Sequence, residues 1–523
     1  MNRRVGRLGR GVAAASGGES DHEHERSRHA WPQSKYGATA ETTGTCTCTR
    51  SAAQVRRGRC AVARRTGGTP LAVSGSMRSM LAVLVVVAAC ATGTDRVTWY
   101  RDVAPIAARH CMACHQPGGI GPFDLTDYAV AVAHATPMLD AIRGGVMPPF
   151  DAREEPACTP RFGWVDDPRL SADELATLEK WVADGTPAGD RAPLPAIAST
   201  ELAGVTTTVV AAEPFTASGA NDQFMCYLLD PAHATDTWLT GLQVRPGNAR
   251  VVHHVVVSEL LAGPAQDALV AEHGLGRPWA CGPAPPGVVI NVWTPGNQPF
   301  QTASEVAIPL LAGAKLALGI HYHPAGETAA PDATAIDLRA SPVRPQKMYF
   351  VGGFGNAAAA PALLVDPDDR VPGTPEFRIP ANTAAHGEHM RVTVTLPGNL
   401  PEVKLLGVDP HMHMLGTHIA MTVERPAPRG SDPQTECLAN GRWNFDWQRS
   451  YFYDAPLDQL PSLRPGDVID IACRWDNTLA NPFVQRALAD AGLGAPVDVV
   501  LGQGSLDEMC LEFLGMVVDL PPP

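Results

Sequence analysis

Asp409-Pro-His-Met-His-Met-Leu-Gly416 places two histidines two positions apart. Residues i and i+2 of an extended strand point to the same face. His411 and His413 therefore reach one point in space if the stretch is β. The rest of the chain favours β. Apolar runs of strand length alternate with Pro/Gly turns at Leu239–Val244, Val251–Val257, Val288–Val292 and Lys315–Ile320. The composition agrees, with 48 Pro and 49 Gly against 41 Lys+Arg, because both residues break helices and mark turns. The expected fold is mainly β. A chain of 523 residues is too long for one core, and its length suggests roughly three domains.

Two further histidine stretches belong with the first. Val251-Val-His-His-Val-Val-Val257 puts His253 and His254 side by side. Neighbours on a regular strand face opposite ways, so both reach one metal only at a strand end or a bulge. Leu316-Ala-Leu-Gly-Ile-His-Tyr-His323 supplies His321 as a third imidazole, with His323 on the same face as a competitor. In the last part of the chain, Pro465-Gly466-Asp467 reads as a turn between strands, and Asp507-Glu508-Met509-Cys510 offers a thioether.

The amino-terminal part carries a different chemistry. Cys111-Met-Ala-Cys114-His115 has the spacing that attaches c-type haem through two thioethers, with His115 as axial ligand. A redox dithiol lacks its βαβ context here, and a zinc knuckle lacks a second C-x-x-C. Met147, in a loop stiffened by Pro148 and Pro149, is the expected sixth ligand, with Met138 as its rival. Ser171-Ala-Asp-Glu174 forms a capping box. Leu175, Leu178 and Val182 follow at helical spacing, and Gly185 stops the helix. The stretch from Asp190 to Ser199 reads as a linker.

Charge divides the chain unevenly. Residues 1–76 hold 13 Lys+Arg and 5 Asp+Glu, whereas from Ala91 onward there are 27 and 49. The folded part is acidic and has no basic stripe, which excludes nucleic acid as a partner. The segment 1–76 reads as disordered or as a mis-called upstream stretch. Residues 77–91 read as a secretory signal. Val87-Ala-Ala-Cys90 resembles a lipoprotein box that would anchor the chain through Cys90, with a plain cut after Ala91 as the alternative. Six cysteines remain besides the haem pair, namely Cys158, Cys226, Cys281, Cys437, Cys473 and Cys510. An even number in an exported protein suggests disulfides.

Taken in order, the His-His pair, the His-Tyr after an apolar strand, the His-x-His-x-Leu-Gly and the Asp-Glu-Met-Cys resemble the copper type II, ascorbate-dependent monooxygenases. Peptidylglycine α-hydroxylating monooxygenase and dopamine β-monooxygenase are members. The pattern Asp-Val-Ala-Pro-Ile, C-x-x-C-H and Met-Pro-Pro looks like small bacterial cytochrome c domains. The resemblance implies two jelly-roll β-sandwich domains, 202–343 and 347–520, preceded by a small α-helical cytochrome c-like domain, 94–190. It implies two copper ions, one on His253, His254 and His321 and one on His411, His413 and Met509. It also implies the pairings Cys226–Cys281 and Cys473–Cys510. Three positions depart from the peptide-amidating enzyme: Asp409 stands where it has a substrate-binding Arg, Phe513 where it has Tyr, and Gly319 where it has Gln. Peptide-glycine is therefore not the expected substrate.

The expectation is an exported oxidoreductase, periplasmic or held at the cell envelope. It would hydroxylate a C–H bond of an unidentified organic substrate with O2. Electrons would pass from an external donor through c-type haem, rather than ascorbate, to the three-histidine copper and then to the copper on His411, His413 and Met509. Imidazole suits both copper states and thioether favours Cu(I), so the two ligand sets match these roles. The alternative is a periplasmic electron-transfer or copper-binding protein without oxygenase activity. A third reading is a surface lipoprotein whose β domains mediate contacts.

Overall fold

The computed structural model describes residues 96–197, 201–219, 222–282, 284–322, 330–356, 363–364, 377–502 and 506–521. The segment 1–76, the export signal 77–91 with Cys90, and His323 lie outside these residues.

The first described part is helical. Helices Ala104–His110, Tyr128–Arg143 and Ala172–Ala183 surround a core that includes Trp99, Met112, Leu125, Leu178 and Trp181. The expected capping box is formed at both ends: the Ser171 hydroxyl accepts from Glu174 N–H, and the Glu174 carboxylate accepts from Ser171 N–H. Gly185, at φ +79°, follows the last helix in the left-handed region that glycine tolerates.

The segment between the second and third helices leaves this core. Phe150, Ala152 and Trp164 are buried in the core of the carboxy-terminal β part. Single bridges join Ala152 to Gly441 and Trp164 to Tyr453, and Cys158 is disulfide-bonded to Cys437. The stretch 96–190 is thus a helical core with a strap laid across the carboxy-terminal sheets. The small helical core is closed, and the strap's large rings find apolar surface on the sheets instead.

The remainder is mainly β. The expected strands occur as Thr237–Arg245, Val252–Leu260, Val288–Trp293 and Lys315–Tyr322. A five-stranded sheet holds the last three of these with Gln223–Leu229 and Trp279–Ala280. A second five-stranded sheet contains His386–Thr393, Val468–Trp475, Gly416–Glu424 and Thr435–Arg442. A ten-stranded sheet runs through both halves, joined by parallel pairing of Val306–Leu310 with Lys347–Gly355. Leu239, Leu242, Ile308 and Ile336 of this long sheet share one core with Val255, Leu316 and Ile320 of the first small sheet. Leu405, Val408, Leu514 and Met516 share the other with Ile419, Ile469 and Ile471 of the second. Period-two alternation lets one strand serve both: in Leu511–Asp519, Met516 and Val518 enter the carboxy-terminal core while Val517 enters the amino-terminal one.

Candidate metal centres

His253 and His254 lie on the strand Val252–Leu260, and His321 lies on its antiparallel neighbour, Lys315–Tyr322. The pairing register slips between Val252 and His254. This bulge turns both adjacent imidazoles to one side. Candidate ligand atoms of the three histidines lie within 4.8 Å of one another. His254 Nδ1 is 3.2 Å from His253 Nδ1 and 3.4 Å from His321 Nδ1. Two nitrogens each about 2.0–2.1 Å from one ion at a tetrahedral angle lie about 3.3–3.4 Å apart, so the spacing fits a shared metal.

The opposite nitrogens face carboxylates. His321 Nε2 is 2.9 Å from Asp222 Oδ2, and His253 Nε2 is 3.6 Å from Asp446 Oδ1. Carboxylates behind metal-bound imidazoles orient the ring and raise its basicity. Burial, and then the neighbouring His321, His253 and His411, hold His254 well below its ordinary pKa. The imidazole is therefore neutral, the form that binds metal. Burial raises the Asp446 carboxyl, but the hydrogen bond from His253 and the Arg486 guanidinium outweigh it and bring the group down to about 2.

The strand Val403–His411 ends at His411, and His413 lies just beyond. Their rings are 5.3 Å apart and nearly perpendicular. Each Nδ1 has a partner: His411 Nδ1 is 3.2 Å from Gln448 Oε1, and His413 Nδ1 is 3.0 Å from the Asp507 carbonyl. Both acceptors select the Nδ1–H tautomer and leave Nε2 with a lone pair. Burial, and then His413, push the His411 imidazole down to about 3, so it is neutral at physiological pH.

Met509 is buried and lies two positions before Leu511, which pairs with His411. The strand pairing ends there, two residues short of both His413 and Met509. The Cys473–Cys510 disulfide follows directly, and Cys510 N–H donates to Asn356 Oδ1 at 2.6 Å. Glu508, fully buried, ties the two chains together by accepting N–H bonds from His413, Leu415 and Met509 at 2.8, 2.6 and 3.2 Å. Its role escapes sequence reading because a Glu in a motif carries no sign of which distant N–H groups it meets. The same holds for Asp222, Asp446 and Gln448.

Asp409 shares the His411 face and lines a cavity with Tyr349, Asn291, Ser450 and Phe513. Burial raises its carboxyl to about 7, against a 3.0 Å hydrogen bond from the Ser450 hydroxyl. A neighbouring cavity of about 250 Å³ shares Asn291, Ser450 and Phe452.

In the helical part, Cys111 and Cys114 are free, whereas Cys158, Cys226, Cys281, Cys437, Cys473 and Cys510 are all paired. The pairs Cys226–Cys281 and Cys473–Cys510 are those that the resemblance implies. Burial, and then Cys114, push the Cys111 thiol up to about 12. That is the reverse of the lowered thiol pKa that a redox dithiol uses. His115 Nδ1 sits 3.3 Å from the Phe123 carbonyl, leaving Nε2 for an iron. A Cβ on Gly121 would come within 2.6 Å of that Nδ1, so the loop holds the imidazole closely and needs glycine there. These features fit a c-type haem. Met138 packs on the helical core. Met147 is half-buried on the loop beyond it.

No family model matches this chain, and no curated protein does. Among solved structures it is similar to the cryo-EM structure of Broad Bean Stain Virus, at 8% identity over 63% of this chain and 94% of that one, with a TM-score of 0.22. It is similar to infectious bursal virus T=1 particles at 9% identity, over 60% of this chain and 74% of that one, with a TM-score of 0.14. It is also similar to BuGH86wt in complex with neoagarooctaose at 8% identity, over 79% of this chain and 54% of that one, with a TM-score of 0.14. Similarities this slight carry no argument about fold or function.

Proposed function

We propose that the chain is an exported, haem-linked dicopper monooxygenase that hydroxylates a C–H bond of an organic substrate with O2. In this reading the two β parts are jelly-roll sandwiches and the helical part is cytochrome c-like. The observation that carries the reading is the spacing of the Nδ1 atoms of His253, His254 and His321, with carboxylates behind two of the rings. The second ligand set is His411, His413 and Met509, and Cys111, Cys114 and His115 hold the haem with Met147 as the sixth ligand. Copper supplies one-electron storage at the first set and O2 activation at the second, and haem supplies electrons.

The chain's own groups prepare this chemistry. The His254 and His411 imidazoles, held neutral by their desolvation, present lone pairs without a proton to displace. Gln448 and the Asp507 carbonyl fix the tautomers at the second set. The cavity of about 250 Å³ that shares Asn291, Ser450 and Phe452 with the small Asp409 cavity offers a substrate an apolar wall close to a carboxyl whose charge changes near neutrality. Three disulfides are compatible with an oxidising, periplasmic setting.

The test is metal analysis with a visible spectrum, followed by O2 uptake with candidate substrates. Two coppers and one haem per chain are expected. Met509→Leu should abolish oxygenation, remove the sulfur scatterer from the copper X-ray absorption spectrum and leave the haem bands intact. Unchanged turnover in that variant would overturn the ligand assignment.

A further inference from the structure

The stretch Trp443-Asn-Phe-Asp-Trp-Gln-Arg449 touches both candidate histidine sets and the loop that carries Met147. At its middle, Asp446 Oδ1 lies 3.6 Å from His253 Nε2, and the Phe445 ring stacks on His253 at 5.8 Å. Gln448 holds His411 Nδ1. Trp443 stands edge-on to the His411 ring at 6.0 Å, and its Nε1–H donates to the His413 carbonyl at 2.7 Å.

The ends of the stretch face the helical part. Arg449 Nη1 donates to the Pro149 carbonyl at 3.0 Å, in the loop that carries Met147. The charge of Arg449 also acts on Cys114. Trp443 lines a cavity with Gly145, Val146 and Pro149 of the same loop. The contact is rigidly fastened. Arg442 donates to the Gly144 and Gly145 carbonyls, its N–H to the Asp151 carbonyl, and Cys158–Cys437 staples the strap behind it. No residue of the two strands bearing His253, His254 and His321 lies between that loop and His411 on this path.

We propose that electrons from the C-x-x-C-H unit enter the His411–His413–Met509 metal directly, through Trp443 and the Gln448–Arg449 pair, and that the three-histidine metal is a branch from the same stretch through Asp446. This rests on the proposed haem and copper content. It changes the order of transfer expected from the sequence, in which the three-histidine metal is an obligatory relay. The step moves one electron and no proton. The haem iron goes from ferrous to ferric, and the copper on His411, His413 and Met509 goes from cupric to cuprous. An external one-electron donor makes the ferrous haem. Trp443 is a positioning residue in this scheme, since it donates to the backbone of a ligand and does not bind the metal.

The test uses the full-length, metal-loaded protein, oxidised and then mixed anaerobically with less than one equivalent of reduced methyl viologen. The haem α band is followed by stopped flow, and cupric copper by freeze-quench electron paramagnetic resonance. Haem re-oxidation that does not depend on protein concentration reports the internal step. His254→Ala, with one copper left by metal analysis, should keep this phase at close to the parent rate. Trp443→Leu should slow it about tenfold with copper content and the α band unchanged. Trp443→Phe, which keeps a ring but lacks the Nε1–H donor to the His413 carbonyl, should stay close to the Trp443→Leu rate. Equal rates in parent and Trp443→Leu would overturn the proposal, as would loss of the internal phase in His254→Ala. Absence of copper or of the α band in the parent would instead overturn the proposed function.

Discussion

Glu512 is the residue whose state is least comfortable. It is fully buried, and neither carboxyl oxygen has a hydrogen-bond partner among the described residues. Burial, and then Asp409, push its pKa well above the ordinary 4.5. The folded chain therefore keeps this proton through a window where the unfolded chain has released it. Stability contributed by the protonated form is lost as pH rises through the folded pKa. Glu512→Gln keeps the shape and removes the ionisation. The variant should be more stable than the parent by about 1–3 kcal/mol in mildly alkaline buffer. The advantage should shrink on moving to mildly acidic buffer, where the parent's carboxyl is neutral. Thermal midpoints across that range check it, and an advantage that grew on acidification would contradict the sign.

At the level of the strand, phase decides what each residue faces. In Val403–His411 the register to Leu511–Asp519 slips between Leu405 and Gly407. Val403 and Leu405 enter the carboxy-terminal core before the slip, and Val408 enters it after. Without the extra residue, alternation would turn one of these groups away from the core. Asp409 and His411 take the opposite face only because the slip has occurred. Deleting Leu406 should therefore either expose Val403 and Leu405 or drive His411 inward. Losing two such buried side chains costs about 4 kcal/mol or more. Soluble yield should fall sharply, and on the proposed two-copper reading the copper content of any soluble fraction should drop by one. A soluble deletion variant with full copper content would show that the slip is dispensable. The slip at His253 works the same way. It was legible beforehand because two adjacent histidines on one metal require it, whereas nothing in Leu405-Leu406-Gly407 announces the other.

For the whole molecule, the main question is what ties the helical part to the sheets. Cys158 and Cys437 are 279 positions apart and join the strap to the strand Thr435–Arg442. Arg161 supports the same seam through Asp432 at 2.8 Å and Glu436 at 2.9 Å. Replacing both cysteines by Ala should cost about 2–5 kcal/mol, the usual loss for a native disulfide. On the proposed haem content, the haem bands should persist, since Cys111, Cys114 and His115 are untouched. The strap should become open to proteases near Arg153 and Arg161. Mass mapping of limited tryptic digests checks this, and an unchanged digest would mean that Phe150, Trp164 and the backbone bridges suffice.

The sequence alone determined what depends on local periodicity and local chemistry. Strand alternation, the Ser171–Glu174 cap, the turn at Pro465-Gly466-Asp467 and the C-x-x-C-H spacing of Cys111, Cys114 and His115 each lie within a few residues, so their physics is written in one stretch. Tertiary structure decided the rest. The strap over the carboxy-terminal core, the Cys158–Cys437 pair, the Glu508 clasp and the meeting of Trp443–Arg449 with two histidine sets all depend on partners far away in the chain. Which distant groups meet is set by sheet register and by where large rings find a core, and neither leaves a mark in a single stretch of sequence. His411 and His413 stand on the boundary: their nearness follows from spacing, but the Gln448, Asp507 and Glu508 groups that hold them follow only from the fold.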